Sequence, residues 1–370
     1  MKRILIIIPS LGGGGAERVL IDILNRFDYT KYNVELLVIH YYGPYINQIN
    51  HNVTIHRIFN GPSTLISRVV TKAERLLSVH DIINKCKVRK LIKDTYDTII
   101  SFTTNEALYY HSYLFNKAKK NINWVHVDVE KNHNHYPFSS HRSEVAAYEH
   151  IDQLIFVSND SQRAFNKVFD CINAAQTVIY NLIDKDAIER KSKEENIHNR
   201  IPTIITIGRL IPIKGFERLI QVARKMKEDG LVFQIQILGT GPLLGHLEYL
   251  AKREGVEGVV CFLGFKSNPY PYLKAADIFI STSLSEAFPL AVCESLCLGK
   301  AIVCTRTTGP IEILQNTYGI LTTHDVNDIY LKLKELLTDP ALIAYYQGKA
   351  IERSAMFDPK FTMNEIYKVI

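Results

Sequence analysis

STSLSEAFPLAVCESLCLGKAIVCTRTTGP, residues 281–310, is the stretch on which the fold is decided. An apolar strand ends at Ser281, a short polar loop carries Glu286, and Pro289 opens an apolar helix that runs to Gly299, a strand–loop–helix unit of the α/β type. Between Leu290 and Leu298 the polar residues are Glu294 and Ser295. A carboxylate on a segment suited to burial is strongly unfavourable unless paired, so Glu294 calls for an internal cation or a ligand bearing hydroxyl or amide donors. Glu286 lies in the loop at the helix N-terminus, where backbone N–H groups and the helix dipole favour oxygen-rich ligands.

Two glutamates separated by seven residues, with Phe288-Pro289-Leu290 after the first, form a pattern that resembles the signature of the retaining glycosyltransferase family four, which has the GT-B fold. The resemblance extends over most of the chain: GGGGAER at 12–18, NWVHVD at 123–128, GRLIPIKGF at 208–216, LGTGPL at 238–243, GFKSNPYPYLKAADIFIS at 264–281 and TGPIEIL at 308–314. Each piece is weak alone, and their order is specific. The resemblance implies that Glu294 binds the nucleotide ribose and that Glu286, with the backbone around Phe288, Pro289 and Leu290, holds the donor sugar. Two departures stand out: the family's glycine after the first glutamate is Ala287, and its frequent Gly-Gly-Pro is Thr308-Gly309-Pro310. A positive φ at the first of these places would strain Ala287.

The 370 residues suffice for two domains, and 46% hydrophobic with 22% charged residues is ordinary for a soluble globular protein, so two cores are expected. The apolar run Ile4 to Ile8 stops at Pro9, too short for a signal peptide or a spanning helix, and the expected location is the cytoplasm. Cys86, Cys171, Cys261, Cys293, Cys297 and Cys304 are scattered without paired metal spacings and read as reduced core thiols. Cys293 and Cys297 share a helical face, but no second ligand pair lies near them in sequence, which disfavours zinc.

Residues 3–8 read as a buried parallel strand, followed by Gly12, Gly13, Gly14 and Gly15 and an amphipathic helix from Ala16 to Phe27. A dinucleotide fingerprint fails on spacing, because Glu17 or Arg18 falls where the third glycine belongs, and the strand Val34 to His40 does not end in an acid. The glycine run still lets the backbone approach a phosphate or another domain closely, beside a helix N-terminus. Further strands are expected at 53–58, 97–102, 121–127, 153–158 and 177–180. His126 stands at one strand end, where open α/β sheets place ligand-contacting residues; the resemblance puts this histidine over the donor sugar and acceptor. Asp128 and Glu130 offer an acid pair, but the resembled fold stabilises its diphosphate without metal, so no metal site is assigned to them.

The first domain is expected over residues 1–184, a polar connector over 185–201, a second Rossmann-like domain over 202–357, and a C-terminal helix over 358–370 that in the resembled fold crosses back to the first domain. Strands at 203–207, 232–238, 259–262, 277–281, 301–304 and 318–321 repeat the first architecture. A crevice between two such sheets, at the strand C-terminal ends, is the expected ligand site. Arg209 and Lys214 follow the first of these strands. Departure of a nucleoside diphosphate leaves extra negative charge, which a guanidinium, an ammonium and helix N-termini can stabilise in place of magnesium. Gly241 and Gly309 sit in two further strand-to-helix turns, read as lining the base or ribose and the diphosphate respectively.

The sequence thus predicts a GT-B glycosyltransferase that moves a hexose from a nucleoside diphosphate sugar, uridine-linked by resemblance, to a glycan or lipid-linked glycan with retention, without metal or other cofactor. A sugar-nucleotide epimerase or phosphorylase of the same fold and a non-catalytic partner subunit are the alternatives. Residues 1–185 carry a net charge of +5 and residues 186–370 carry +1; nothing points to nucleic acid. The excess is local, since the stretch from Arg68 to Asp94 is itself +5, and Leu65, Ile66, Val69, Val70, Ala73, Leu76 and Leu77 follow helical spacing. Residues 65–93 are therefore the candidate contact with an anionic membrane surface at the inner face, against the simpler alternative of a solvated basic face over a packed apolar stripe.

Overall fold

The computed structural model describes residues 1–62 and 80–370. Leu65 through Leu77, and with them the whole apolar stripe, lie outside the described residues. The chain divides into two units, Met1–Leu182 with Lys360–Ile370, and Ile183–Pro359.

The first unit holds seven parallel strands: β1 (Lys2–Ile8), β2 (Tyr32–Tyr41), β3 (Thr54–Asn60), β4 (Tyr96–Ser101), β5 (Ala118–Val125), β6 (Gln153–Phe156) and β7 (Ala175–Val178). Their order is β3-β2-β1-β4-β5-β6-β7. β1 is central: Ile4 through Ile8 are buried, as a strand covered on both faces by helices requires. The helix Gly15–Leu24 returns the chain, burying Val19, Leu20, Ile23 and Leu24.

The second unit repeats the scheme with β8 (Thr203–Ile207), β9 (Gln234–Leu238), β10 (Val260–Gly264), β11 (Ile278–Ser281), β12 (Ala301–Thr305) and β13 (Ile320–Thr322), in the order β10-β9-β8-β11-β12-β13. Each unit has its own apolar core, so the two expected cores are present. In both sheets the order reverses beside the first strand, between β1 and β4 and between β8 and β11. Open α/β sheets receive ligands at the C-terminal edge of such a switch point.

One boundary differs from the sequence reading. Residues 185–191 are a helix, Lys185–Lys191, rather than a plain connector: Asp184 caps it by accepting from the Ala187 N–H at 3.1 Å, and Ile188 is buried. One apolar residue per turn anchors a short helix, and the surrounding charges hide it from a composition argument. It packs beside the helices Leu290–Cys297 and Tyr270–Ala275 of the second unit. At the other end, the helix Pro359–Val369 brings Tyr367 onto the first unit, its ring stacked on Tyr32 at 5.1 Å and its hydroxyl oxygen accepting from the Asp28 N–H at 2.9 Å. The cysteines are all free, but Cys86 and Cys171 are exposed, Cys261 is partly exposed, and only Cys293, Cys297 and Cys304 are buried.

Candidate active site

The second unit gathers most of the expected residues at its switch point. Beyond β8 the chain runs through Gly208 and Arg209 to Lys214; beyond β11 it runs through Ser283 to Glu286. Lys214 Nζ lies 2.5 Å from Glu286 Oε1, which also accepts from Ser283 Oγ at 2.6 Å. The two loops are stitched together: Thr282 Oγ1 donates to the Lys214 carbonyl at 3.0 Å and the Leu284 N–H to the Ile213 carbonyl at 2.7 Å. Gly215 makes this contact workable, since its φ is 63° and a Cβ there would come within 2.4 Å of the Thr282 carbonyl oxygen. Arg209 is exposed, and its guanidinium has no hydrogen-bond partner among the described residues. Cations on this loop suit a group whose charge grows during reaction.

Glu286 is held from behind as well. Its carbonyl accepts from the Gly309 N–H and from Thr308 Oγ1, each at 2.8 Å. In the turn read as lining the diphosphate, the Gly309 N–H is engaged by the Glu286 carbonyl. The residue must be glycine because a Cβ would meet Pro289 Cδ at 2.6 Å and the Ala287 carbonyl oxygen at 2.8 Å. Gly241 is explained in the same way. It backs onto Leu210, where a Cβ would lie 2.5 Å from the carbonyl oxygen, so the turn supports the Arg209 loop.

Ala287 and Phe288 are buried, and Pro289 caps the helix Leu290–Cys297. The amides of Leu290 and Ala291 open that helix with no intrahelical acceptor. Ala287 is not among the described non-glycine residues with positive φ, which are Asn105, Gln315 and Asn316, so the feared strain is absent. Glu294 is half-buried and finds an internal donor, the Tyr270 hydroxyl at 2.9 Å from Oε1. Tyr270 and Ser283 were missed from sequence. Tyr270 stood in a quoted motif, but its pairing with a helix residue 24 positions on is purely tertiary.

In the first unit, Gly13 has a φ of 96°, Gly14 is the extended N-cap and Gly15 opens the helix. His126 follows the last residue of β5 rather than ending the strand, and its ring lies 4.7 Å from Phe102 and 5.7 Å from Trp124. Some of the residue reaches the surface, but Nε2 is buried and has no partner within the described structure. Burial pushes the ring's pKa down to about 3, so it is neutral at physiological pH. Thr103 Oγ1 and Asn123 Oδ1, at the C-terminal edge of β4 and within β5, are buried and unpartnered too. Buried polar atoms left unsatisfied are rare, and a ligand or a water at this strand edge would complete their bonding. Asp128 and Glu130 do not converge: Asp128 caps the helix Val129–Asn132, and Glu130 pairs with Lys167 at 3.0 Å.

Two Rossmann-type units of this order define the GT-B class of glycosyltransferase fold. Anabaena HepE, crystallised with UDP and glucose, superposes with a TM-score of 0.75 at 20% identity, over 100% of this chain and 99% of that one. Residues 187–353, which contain the Lys214–Glu286 pair and Glu294, match the family model for group 1 glycosyl transferases. A Campylobacter jejuni N-acetylgalactosaminyltransferase, whose name specifies a diphospho-undecaprenol-linked acceptor, is 34% identical over 184 residues, 49% of each chain. A glycosyltransferase of Haemophilus influenzae is 23% identical over 360 residues, 95% of this chain and 94% of its own. The alignable part is thus about half the length of the first relative and nearly all of the second. Among the described residues no helix is long and apolar enough to cross a membrane.

Proposed function

We propose that the protein transfers a hexose from a nucleoside diphosphate sugar, UDP-linked, to a lipid-linked glycan, with retention at the anomeric carbon, in the assembly of a surface polysaccharide or glycoconjugate. The Lys214–Glu286 pair at the β8/β11 switch point carries this reading. Lys214 and Arg209 take up the charge of the departing diphosphate, and Glu286, already oriented by Lys214 and Ser283, accepts hydrogen bonds from sugar hydroxyls. Glu294 takes the ribose hydroxyls while Tyr270 holds its other contact. In the first unit, neutral His126 offers its imidazole to the sugar or acceptor, and the loop at Gly13, Gly14 and Gly15 offers backbone amides to a phosphate. The relaxed backbone at Ala287 removes the one sequence argument for a non-catalytic partner subunit.

The exposed basic helix His80–Leu91 is the part of the membrane-contact stretch that the structure describes. Lys85 and Lys90 stand in solvent, whereas Arg89 Nε donates to the Tyr113 carbonyl at 3.1 Å, so part of the basic set is structural. The proposal places the enzyme at the cytoplasmic face of a membrane, held by such charges. Release of nucleoside diphosphate from a panel of sugar nucleotides tests the central claim. Slow hydrolysis of one donor is the expected result, and inertness toward every UDP-linked hexose would overturn it.

A further inference from the structure

The first unit contains a cluster that the transfer chemistry does not use. His133 follows the short helix Val129–Asn132, and His141 and Glu144 lie three residues apart on the helix His141–Tyr148, hence on one face. His133 Nε2 is 2.9 Å from Glu144 Oε2, and His141 Nδ1 is 3.9 Å from the same oxygen. One ligand atom from each of the three lies within 4.8 Å of the others. Glu144 is buried, with 1% of its side chain exposed, while the side chains of His133 and His141 keep 24% and 48%. Phe169 walls the cluster, its ring 5.4 Å from His133 and 5.1 Å from His141.

We propose that His133, His141 and Glu144 form a binding site for a divalent transition cation of the zinc class. Bond lengths of about 2.0 Å in a tetrahedral site set neighbouring ligand atoms about 3.3 Å apart. The two distances to Glu144 Oε2, 2.9 Å and 3.9 Å, bracket that spacing, and turning the imidazoles would bring the nitrogens toward it. Two nitrogens and one carboxylate oxygen suit zinc, nickel or copper and not magnesium, which requires an oxygen octahedron. The exposed side of His141 leaves an entry path and a coordination position for water. A bound ion would tie the segment after Asn132 to the helix His141–Tyr148, a structural role separate from the transfer of sugar.

The test uses the metal-stripped full chain titrated with zinc against a chromophoric chelator. The expected result is one saturable equivalent, accompanied by a rise in thermal midpoint, because a ligand that binds only the folded state raises stability. His141→Ala, at a half-exposed position, should lose that equivalent while its metal-free midpoint stays that of the wild type. His133→Gln should lose it as well, which guards against a folding defect in either variant. His246→Ala, at an exposed histidine of the second unit, should retain it. Absence of saturable binding, or equal stoichiometry in wild type and both cluster variants, overturns the site; so does retention by magnesium in zinc's place.

Discussion

Lys214 and Glu286 meet across the β8/β11 switch point at 2.5 Å, each more than three-quarters buried at the side chain, with 24% and 14% exposed. The cation expected to stabilise the leaving group and the carboxylate expected to hold the sugar are one hydrogen-bonded unit. Lys214→Ala should lower kcat by about 10²–10³. Glu286→Gln, which can still accept from Ser283, should cost less, and the double variant should fall short of the sum by about 0.5–3 kcal/mol. Strictly additive effects in that cycle would show that the pair does not act together.

Glu294 should act on binding rather than on chemistry, since ribose contacts exist before reaction. Glu294→Ala should weaken nucleoside diphosphate binding in calorimetry by about tenfold, the loss of a charge-assisted hydrogen bond worth roughly 1.5 kcal/mol. Tyr270→Phe should weaken it in the same direction and by less. Equal affinity of wild type and Glu294→Ala rejects the ribose assignment.

Turnover should not depend on magnesium or manganese, because Arg209 and Lys214 supply the countercharge. Initial rates after dialysis against chelator should match those with magnesium restored. A loss that magnesium or manganese reverses contradicts this account.

Stability should fall in mild acid through His111. This ring is fully buried, with Nε2 3.0 Å from Asn121 Oδ1 and Nδ1 3.1 Å from Ser101 Oγ, and burial pushes its pKa from 6.5 down to about 3. Between those values the unfolded chain binds a proton that the folded chain does not, so stability is complete above about pH 6.5 and declines as pH falls toward about 3. The contribution approaches about 1.4 kcal/mol per pH unit. Urea unfolding should therefore show a shallower acid dependence in His111→Gln than in wild type. An unchanged dependence would mean that another group governs acid lability.

Wild type should co-sediment with vesicles containing anionic lipid at low salt and not with neutral ones, each basic residue near the surface contributing about 1 kcal/mol. Serine at Lys85, Lys90 and Lys93 should reduce this without altering donor hydrolysis, whereas Arg89 is left in place because it braces Tyr113. Indifference of the wild type to lipid charge would sink the membrane contact.

The strands and the helix at Leu290 were legible because buried parallel strands and strand-to-helix turns write themselves in short apolar runs punctuated by glycine and proline. β1 and β8 fall within a residue of their expected places. The glycines were found, but the close backbone approach that requires them was not. Gly241 and Gly309 are small because other backbone passes behind them, a tertiary fact that looks identical in sequence to an anion-facing turn. The Lys214–Glu286 contact spans 72 positions and had no local trace. The helix Lys185–Lys191 was lost because one buried isoleucine among charges makes no periodic pattern.

The route of the chain sets an order of assembly at synthesis. The second unit is one continuous segment and has all its parts once Pro359 has emerged. The first unit emerges earlier but lacks Lys360–Ile370, so the aromatic surface at Phe27 and Tyr32 waits uncovered until Tyr367 arrives, 5.8 Å and 5.1 Å from those rings. The N-terminal unit must therefore persist with an incompletely covered aromatic patch while the whole of its neighbour is being made, and the last eleven residues are what close it.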